Sequence, residues 1–443
     1  MGAGTKECAA VSVAGLVCSL CGERFPVSAQ YVCTECFGPL EVAYDWEAVR
    51  QRLTSEPFPC HTSSLWRYRA LLPVNEIPPN DLGAGFTPLH PAERLAKEIG
   101  LEELWIKNDT VNPSYSFKDR VVALAVATAQ QMGIPVVACA STGNLASALA
   151  AHAARAGLPA YLFVPADLEP EKILGAAVYG PHIIGVKGTY DDVNRLCIQI
   201  ADRYGWGFVN INLRPFYAEG SKTLAFETVE QLGWDLPDHV VVPAAGGSLA
   251  TKIAKGFQEL LDLGLVFGER PRVSIAQAAG CAPIVRAWEA GLDHVEPVRP
   301  QTIARSLAIG NPADGVLALK TIRETGGAAA AVTDEEIIEG IRLLARTEGI
   351  FAETAGGVTV AALRKLVAQG HIRPDERTVL YITGNGYKTV SALEGQASAP
   401  PVVEPRLADF ERWYATHSSA QAVELRPAGF PAASQGGVHP CPE

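Results

Sequence analysis

The chain has 443 residues, of which 48% are hydrophobic and 19% are charged, and its formal net charge at pH 7 is −11. This length allows two ordinary domains or one large two-lobed enzyme with a substantial core. The acidic balance argues against a nucleic-acid partner, and no apolar run approaches the roughly 18–20 residues that a membrane-spanning helix needs.

Two closely spaced pairs of cysteines lie near the start of the chain, in "CSLC" (18–21) and "CTEC" (33–36). Each pair can present two thiolates to one ion from a tight turn, and two such turns supply a tetrahedral metal site. The segment between them, "ERFPVSAQYV", alternates like a hairpin. We therefore predict a zinc ribbon over residues 1–40 with a structural Zn²⁺, the alternative being two redox motifs. The predicted ligands are Cys18, Cys21, Cys33 and Cys36.

Six further cysteines are scattered along the chain without obvious partners. Isolated thiols of this kind serve as small hydrophobic residues in a reducing compartment. The first residues lack the charge and the long apolar stretch of a signal peptide. These features predict a cytoplasmic protein.

The remaining chain divides by composition into three segments. Residues 41–85 contain several prolines and are predicted to form a connecting arm, and residues 396–443 are predicted to form a Pro- and Ala-rich tail. Between them, over 86–395, short strands alternate with helices, which indicates parallel sheets with helices on both faces. The predicted fold class is therefore α/β, a two-lobed domain whose smaller lobe covers roughly 139–215. The predicted helices include 119–132, 145–156, 170–179, 190–204, 220–233, 249–263, 334–347 and 355–369.

Ligands of such folds bind beyond the carboxyl ends of the strands, so the loops that lead from a strand into a helix are the candidate site. In the first of four such loops, "NPSYSFKDR" (112–120), Lys118 stands at the start of an apolar helix. An amine held there can form a Schiff base with an aldehyde. Taken alone, however, this lysine would be interpreted as a solvated residue of a first helical turn.

Two more loops combine small residues with the start of a helix. The loop "STGN" (141–144) can hold a carboxylate with its N–H groups, and Asn144 can reach a ring substituent. The loop "PAAGGSLA" (243–250) contains two glycines that permit close approach of the backbone to a phosphate. It matches neither a dinucleotide-binding motif nor a Walker motif, so it does not indicate those nucleotides.

The fourth loop, "ITGNG" (382–386), follows the last predicted strand. It offers the neutral hydroxyl of Thr383 beside glycines that leave room for a flat ring. An aldehyde for the lysine, a phosphate for the glycines and a ring with a hydroxyl and a nitrogen are all parts of pyridoxal phosphate (PLP). One cofactor therefore accounts for the four loops together.

From about residue 86 to residue 390 the sequence resembles the threonine synthase family, whose PLP fold type II is shared with the tryptophan synthase β subunit and threonine dehydratase. "NPSYSFKDR" resembles the segment with the cofactor lysine, and "STGN", "AAGGSL" and "TGNGYK" resemble the other cofactor loops. "AEGSKTLAFE", "SLAIGNPADG" and "FAETAGG" also resemble family blocks. The predicted N-terminal zinc ribbon is similar to that of some bacterial and archaeal members of the family.

The resemblance implies roles for individual residues. Lys118 would be the Schiff-base and catalytic residue, Asn144 would contact the ring hydroxyl, and Thr383 would pair with the ring nitrogen. The implied phosphate cradle comprises Ala245, Gly246, Gly247, Ser248 and Leu249. The candidate substrate-binding residues are Ser141, Thr142, Arg214, Lys222 and Lys107, and each of the three cations has a solvated surface charge as its alternative.

The family reaction implied by the resemblance converts O-phospho-L-homoserine and water to L-threonine and phosphate, in a homodimer. One segment departs from the family pattern. Many members carry an Asn-Pro pair and an arginine before the "EG-KT" block, facing the substrate phosphate, whereas this chain has "NINLRPFYAEGSKT" with Arg214 and Tyr217 near those places. The residue after Asn144, often a small hydroxyl residue, is Leu145.

Three alternatives therefore stay open. The first is a cysteate synthase-like replacement on O-phosphoserine, which the departure around Arg214 keeps in view. The second is a threonine or serine dehydratase, although those enzymes lack the ribbon and the "EGSKT" block. The third is a non-catalytic binding protein in which the ribbon recruits a partner, although such a relic has no physical reason to keep all four loops intact.

Overall fold

The computed structural model describes residues 12–55, 58–59, 61–168, 170–188, 190–395 and 399–417. The chain forms two compact units, one ending at Leu393 and one beginning at Glu394. Parts of the predicted ribbon and of the predicted C-terminal tail lie outside the described residues. The helices are α1 Trp46–Ser55, α2 Glu93–Ile99, α3 Lys118–Gln131, α4 Asn144–Ala156, α5 Pro170–Ala177, α6 Tyr190–Tyr204, α7 Arg214–Glu219, α8 Thr223–Gln231, α9 Ser248–Asp262, α10 Pro283–Glu289, α11 Gly315–Thr325, α12 Asp334–Glu348, α13 Thr354–Ala368 and α14 Leu407–His417.

The strands form three sheets. They are β1 Val13–Cys18, β2 Arg24–Phe25, β3 Leu40–Tyr44, β4 Leu89–Pro91, β5 Leu104–Asn108, β6 Val137–Ala140, β7 Ala160–Pro165, β8 His182–Val186, β9 Gly207–Phe208, β10 His239–Pro243, β11 Arg272–Ala278, β12 Ala329–Val332 and β13 Thr378–Ile382. The small sheet has the order β2-β1-β3 and is antiparallel. A six-stranded sheet has the order β12-β11-β10-β13-β5-β4, and a four-stranded parallel sheet has the order β8-β7-β6-β9.

The six-stranded sheet is parallel except for β4, which pairs with β5 in the antiparallel sense at one edge. Strands β10 and β13 are buried at every position, as is expected of central parallel strands covered by helices on both faces. The α/β class predicted from the alternation of elements is thus confirmed. None of the helices in the described part of the chain has the length and apolar character needed to cross a membrane.

The N-terminal sheet differs from the predicted hairpin. Within "ERFPVSAQYV" only Arg24 and Phe25 form a strand, and they pair with β1 and not with the second half of the segment. The reason is Pro26, which has no N–H to donate to a continuing ladder. The third strand is β3, which runs on to Tyr44 and so passes the predicted ribbon end at residue 40.

The helix predicted over 220–233 also differs from the structure, where the helical segment begins at Arg214 and is divided into α7 and α8. Helix α7 passes through a 3-10 turn, Gly220–Lys222, into α8, with helical dihedral angles throughout the junction. Gly220 lies against α3, and a Cβ atom at this position would be only 2.6 Å from the carbonyl oxygen of Arg120. A glycine is therefore required where these two helices touch.

A buried network of charges fixes the start of α3. The guanidinium of Arg120 binds Asp109 at 2.7 Å and also pairs with Glu227, whose other oxygen lies 2.6 Å from the Lys107 ammonium. Glu227 also accepts hydrogen bonds from the backbone N–H groups of Phe86 and Thr87. Burial opposes the charge on Glu227, but Arg120 and Lys107 outweigh it and lower the pKa of Glu227 to about 2.

We expect Glu227→Gln to reduce the free energy of unfolding by about 3–5 kcal/mol, because two buried cations lose a shared partner. Glu227 contributes stability while it is charged, so that contribution is present above the ordinary carboxyl pKa of 4.5 and is lost as the pH falls toward about 2. Denaturant unfolding at pH 7 and at pH 3 measures both effects. The exposed Glu289, changed to Gln, serves as the control, and equal stability of the two variants would contradict the prediction.

A second buried network joins the N-terminal sheet to α7 and α9. Glu41 of β3 pairs with Lys252 and Lys255 at 3.1 and 3.3 Å, and the Tyr44 hydroxyl donates to Glu219 at 2.8 Å. The ammonium group of Lys222 lies 4.3 Å from the centre of the Tyr44 ring. Through these contacts the small sheet is held directly against both helices.

Candidate active site

Three of the four predicted loops follow neighbouring strands. Strands β10, β13 and β5 are adjacent and parallel, so their carboxyl ends lie along one edge of the sheet. The glycine loop follows β10, the Thr383 loop follows β13, and the loop to Lys118 follows β5. The N–H of Phe117 donates to the Thr383 carbonyl at 2.8 Å, and Ser116 forms a bridge with Gly384. The Lys118 and Thr383 loops are therefore in direct contact.

Lys118 is the first residue of α3 and is half-buried. Its ammonium group donates to the Tyr217 hydroxyl at 2.9 Å and lies 4.6 Å from the centre of the Phe117 ring. The next residue, Asp119, is fully buried and accepts hydrogen bonds from the N–H and the hydroxyl of Ser114, both at 2.9 Å. These hydrogen bonds to Asp119 stabilise the turn that places Lys118 at the start of α3.

The "STGN" loop belongs to the other sheet, where it follows β6 and leads into α4. Ser141 and Thr142 are half-buried, and the Ser141 hydroxyl accepts from the N–H of Gly143 at 3.3 Å. The Asn144 amide nitrogen donates to the two carboxyl oxygens of Glu353 at 3.2 and 3.0 Å. Because the Glu353 N–H donates to the carbonyl of Gly384 in the Thr383 loop, this hydrogen bond links the "STGN" loop to the other three.

The glycine loop has the form of an anion cradle. Gly247 is the N-cap of α9 and has a φ of +93°, which favours glycine. A Cβ atom on Gly247 would be 2.9 Å from the Asp314 carbonyl oxygen, whereas a Cβ atom on Gly246 would meet nothing within 4 Å. Ser248 and Leu249 form the first turn of α9, where the N–H groups of a helix start are not used within the helix and can bind an anion. Ala245 is partly buried and packs against the hydrophobic core.

The two glycines should respond differently to alanine. We expect Gly247→Ala to lose about 1–3 kcal/mol of stability through backbone strain and the contact with Asp314. We expect Gly246→Ala to keep the stability of the unchanged protein but to bind PLP at least roughly tenfold more weakly, because the methyl group fills the cradle. Thermal unfolding and PLP titration of both variants test this. Unchanged PLP affinity in Gly246→Ala would overturn the location of the cradle.

Arg214 begins α7 and lies beside the cradle. Its guanidinium contacts the Asp314 carboxylate at 2.5 Å, and the Asp314 N–H donates to the Gly246 carbonyl at 3.0 Å. Arg214, Ser248 and Asp314 line one small cavity. Helix α7 therefore carries Arg214 toward the cradle and Tyr217 toward Lys118.

The other two candidate cations lie elsewhere. The ammonium of Lys107 is fully buried between Glu227, Gln231 and the Thr87 carbonyl. That of Lys222 is fully buried against Glu219 and Glu259, at 2.6 and 2.8 Å. Neither position supports the prediction that these lysines bind the substrate, because each ammonium is already neutralised in a buried ion pair. Sequence spacing alone does not distinguish such a lysine from one that faces a ligand.

The side chains of the four loops can be compared with the functional groups of PLP that a protein must bind. The aldehyde requires an amine, which Lys118 provides, and the phosphate requires the open cradle at Gly246. Thr383 is 97% buried and carries a neutral hydroxyl, which suits an uncharged contact to the ring. The buried hydroxyls of Ser116 and Thr354 have no hydrogen-bond partner among the described residues, as is expected where a polar ligand completes the site. The residues present therefore fit PLP.

The four ribbon cysteines lie together at one end of the small sheet. Their sulfur atoms are all within 4.8 Å of one another, and the pairs Cys18–Cys36 and Cys21–Cys33 are 3.4 and 3.6 Å apart. The N–H groups of Leu20 and Glu35 point to the sulfurs of Cys18 and Cys33. Sulfurs around a tetrahedral Zn²⁺ are about 3.8 Å apart, given a Zn–S distance of about 2.3 Å. The cluster can therefore accept such an ion.

Three residues near the site were not among the candidates. Tyr217 contacts Lys118, Glu353 contacts Asn144, and Lys388 donates to the Ser114 carbonyl at 2.6 Å. A charged residue directly before an apolar helix, as in "FAETAGG", was the available signal for Glu353. Tyr217 was noted only as a departure near the family's phosphate-facing residues, and its contact with Lys118 depends on how α7 packs against α3.

A family model described as pyridoxal-phosphate dependent enzyme matches residues 81–384. The structure agrees with this match at the level of the fold. Diaminopropionate ammonia lyase from Escherichia coli superimposes with a TM-score of 0.60 at 20% identity, over 71% of this chain and 88% of that one. Threonine deaminase isoform 2 from Solanum lycopersicum gives a TM-score of 0.59 at 20% identity, over 70% and 84%. The fold and the site define a PLP-dependent enzyme.

Curated relatives specify the family further. The chain is 39% identical to threonine synthase from Methanocaldococcus jannaschii over 390 residues, which are 87% of this chain and 96% of the relative. It is 37% identical to threonine synthase from Methanosarcina acetivorans over 395 residues, 88% of this chain and 96% of the relative. The chain belongs to the threonine synthase family, a family of PLP-dependent lyases.

Proposed function

We propose that the protein converts O-phospho-L-homoserine and water to L-threonine and phosphate with PLP as its cofactor. The observation that carries this proposal is the convergence of Lys118, Asn144, the glycine cradle and Thr383 in a chain that matches threonine synthases over nearly their whole length. These four features would hold the cofactor by its aldehyde, ring hydroxyl, phosphate and ring nitrogen.

Bound PLP supplies an electron sink for charge that develops at the substrate α-carbon. The free amine of Lys118 would be the base that removes the α-proton. The Tyr217 hydroxyl, 2.9 Å from that amine, orients it. Loss of a proton from the β-carbon is then followed by cleavage of the γ-carbon–oxygen bond and departure of phosphate. Protonation of the γ-carbon, addition of water at the β-carbon and return of a proton to the α-carbon complete threonine.

Thr383 would shape this chemistry through its lack of charge. A neutral hydroxyl beside the ring nitrogen would not stabilise a proton on that nitrogen as a carboxylate would. The cofactor would then be a weaker electron sink, which would favour elimination and replacement over transamination. The "STGN" loop would hold the substrate carboxylate through Ser141, Thr142 and the N-terminus of α4.

Arg214 is the proposed contact of the substrate phosphate. We expect Arg214→Ala to raise the KM for O-phospho-L-homoserine by roughly 10–100-fold with a smaller change in kcat, because a charge-assisted hydrogen bond is lost. Steady-state kinetics and a PLP titration measure the two ligands separately. The exposed Arg286, changed to Ala, is the control. A weaker affinity for PLP with an unchanged KM would instead assign Arg214 to the cofactor phosphate.

The zinc ribbon is the second part of the proposal. We propose that Cys18, Cys21, Cys33 and Cys36 bind one structural Zn²⁺, which the mutual distances of their sulfurs support. Four cysteine ligands leave no open position, so the ion would have no part in the reaction. We further propose a cytoplasmic homodimer that does not bind nucleic acid, in line with the acidic net charge of −11.

Two enzymatic alternatives remain useful as comparisons. A replacement reaction on O-phosphoserine would use the same cofactor loops and differ at Arg214 and Tyr217. A threonine or serine dehydratase would instead form a 2-oxo acid and ammonia and would release no phosphate. The similarity of nearly the whole chain to threonine synthases favours the first proposal over both.

The test is to incubate the purified protein with O-phospho-L-homoserine and to follow phosphate and threonine together. We expect equal amounts of both. A protein that shows the visible absorbance of bound PLP but forms neither product would refute the proposed substrate, and O-phosphoserine with sulfite would be the next substrate. A colourless protein that does not take up PLP would refute the cofactor and favour the non-catalytic alternative.

A further inference from the structure

Glu353 is a buried acid that the reaction described above does not use. It stands at the N-cap of α13, but its side chain does not cap that helix. The carboxylate instead points to the Asn144 amide, and the residue is only 2% exposed. This buried carboxylate contacts a side chain from another helix and not the N–H groups at the start of its own helix. Such a position is stable only if the surrounding residues compensate for the burial of the carboxylate.

The surroundings of Glu353 are built to hold it. Its N–H donates to the Gly384 carbonyl at 2.9 Å, which ties it to the loop of Thr383. A Cβ atom on Gly384 would be only 2.3 Å from a Glu353 carboxyl oxygen, so the glycine provides the space that this carboxylate occupies. The preceding residue, Ala352, forms a bridge with Asn385 in the same loop. Glu353 is therefore fixed against the loop that would face the PLP ring.

The surroundings of Glu353 have opposing effects on the ionisation of its carboxyl group. Burial raises the pKa of Glu353, while the Asn144 hydrogen bond, Lys388 and Lys118 act in the opposite direction. None of the described lysine or arginine side chains lies within 4.0 Å of its carboxylate, so no ion pair dominates the balance. Lys388 approaches from the turn after β13 and Lys118 from α3, and the Asn144 amide is the direct partner.

This contact decides which way the Asn144 amide is turned. An asparagine amide has one acceptor oxygen and two N–H donors, and the two ends can exchange by rotation. A charged carboxylate accepts but cannot donate, so it selects the N–H₂ end of Asn144. One of the two N–H donors then remains for a second acceptor. The ring oxygen of PLP, which Asn144 is proposed to contact, is such an acceptor.

We propose that Glu353 is a positioning residue of the cofactor site, which fixes the Asn144 amide so that its remaining N–H is available to the ring oxygen of PLP. The inference rests on the proposed PLP site but not on the identity of the substrate. It also explains why a buried acid is placed beside an uncharged asparagine and not beside a cation. Removing the charge on Glu353 frees the amide to rotate and present its oxygen to the cofactor.

The test is a double-mutant cycle in which PLP affinity is measured on the full-length protein after dialysis and re-titration with PLP. Glu353→Gln has nearly the same shape and should fit the space beside Gly384. We expect it to raise the PLP dissociation constant about tenfold and to shift the visible absorbance of the bound cofactor. In the background of Asn144→Ala, the same change should have an effect of less than about twofold.

The pH dependence of PLP affinity provides a second readout. As the pH falls through the raised pKa of Glu353, the unchanged protein should lose affinity, and Glu353→Gln should lack that part of the profile. Ionisation of the PLP phosphate affects both proteins equally and cancels in the comparison. The exposed Glu289, changed to Gln, should behave as the unchanged protein at every pH.

Unchanged PLP affinity in Glu353→Gln would overturn the proposal, as would an equal loss in the presence and absence of Asn144. If Glu353→Gln does not fold, Glu353→Asp keeps the charge but withdraws it from Asn144, and the same cycle applies. Failure of the proposed reaction can be distinguished from failure of the proposed role of Glu353. A protein that binds PLP but forms no threonine refutes the substrate, while the PLP titrations still decide the role of Glu353.

Discussion

Replacing Lys118 by alanine should abolish threonine formation, with a loss of roughly 10³-fold or more, and should remove the visible absorbance of bound PLP. The physical reason is that no other described lysine replaces it at the junction of the Lys118 and Thr383 loops. Lys388, which also lies near the site, donates to the Ser114 carbonyl at 2.6 Å and belongs to the turn after β13. Turnover with O-phospho-L-homoserine and an absorbance spectrum measure both losses.

The controls separate covalent chemistry from charge and from folding. Lys118→Arg keeps a cation beside Tyr217 but cannot form the Schiff base, so it should be as inactive as Lys118→Ala. Lys97 is exposed on α2, and its replacement by alanine should leave activity unchanged. The Lys118 ammonium makes no ion pair among the described residues, so its loss should change the stability by less than about 1 kcal/mol. Substantial activity in Lys118→Ala would disprove the assignment of the cofactor lysine.

The second large effect is expected at the cysteine cluster. The purified protein should contain one zinc per chain, and Cys33→Ser should lose it, because the sulfur of Cys33 is buried within the cluster. Zinc binding to a preformed Cys₄ site contributes its free energy to folding. We therefore expect the thermal unfolding midpoint to fall by roughly 5 °C or more. Metal analysis and calorimetry of the two proteins provide the measurements.

A matched control is available in Cys281, which is buried but lies outside the cluster. Cys281→Ala should keep the zinc and show only the small loss of stability that follows from a shortened side chain. A strong chelator should reproduce the effect of Cys33→Ser in the unchanged protein. The absence of zinc from protein prepared without chelators would refute the structural metal site.

Much of the catalytic fold follows from local patterns in the sequence. Apolar strands of four to six residues, separated by helices with small residues at their starts, indicate parallel βα units, and helix α6 begins and ends at the predicted residues, 190 and 204. The positions of the four loops also follow, because each loop comes after a predicted strand and one cofactor accounts for all four together. Their meeting follows from the order of the strands, which places β10, β13 and β5 side by side.

The prediction was least successful for charged side chains whose partners are distant in sequence. Lys107 and Lys222 are ordinary lysines in the sequence, and each pairs in the interior with a glutamate more than 30 residues away, Glu227 for Lys107 and Glu259 for Lys222. Glu353 and Asn144 are 209 residues apart and meet only because α13 begins beside the Thr383 loop. No local period or spacing encodes such pairs, since they depend on how whole elements pack.

The buried network behind the cradle limits how far the N-terminal sheet can be treated as an independent module. Glu41, Glu219 and Glu259 there balance the charges of Lys222, Lys252 and Lys255. A chain shortened to begin after Tyr44 would lack Glu41. Three lysines would then be balanced by only two glutamates in a largely buried space, around α9, whose first turn is part of the cradle. Exchange of this sheet between relatives should therefore succeed only where the incoming strand carries an acid at the position of Glu41.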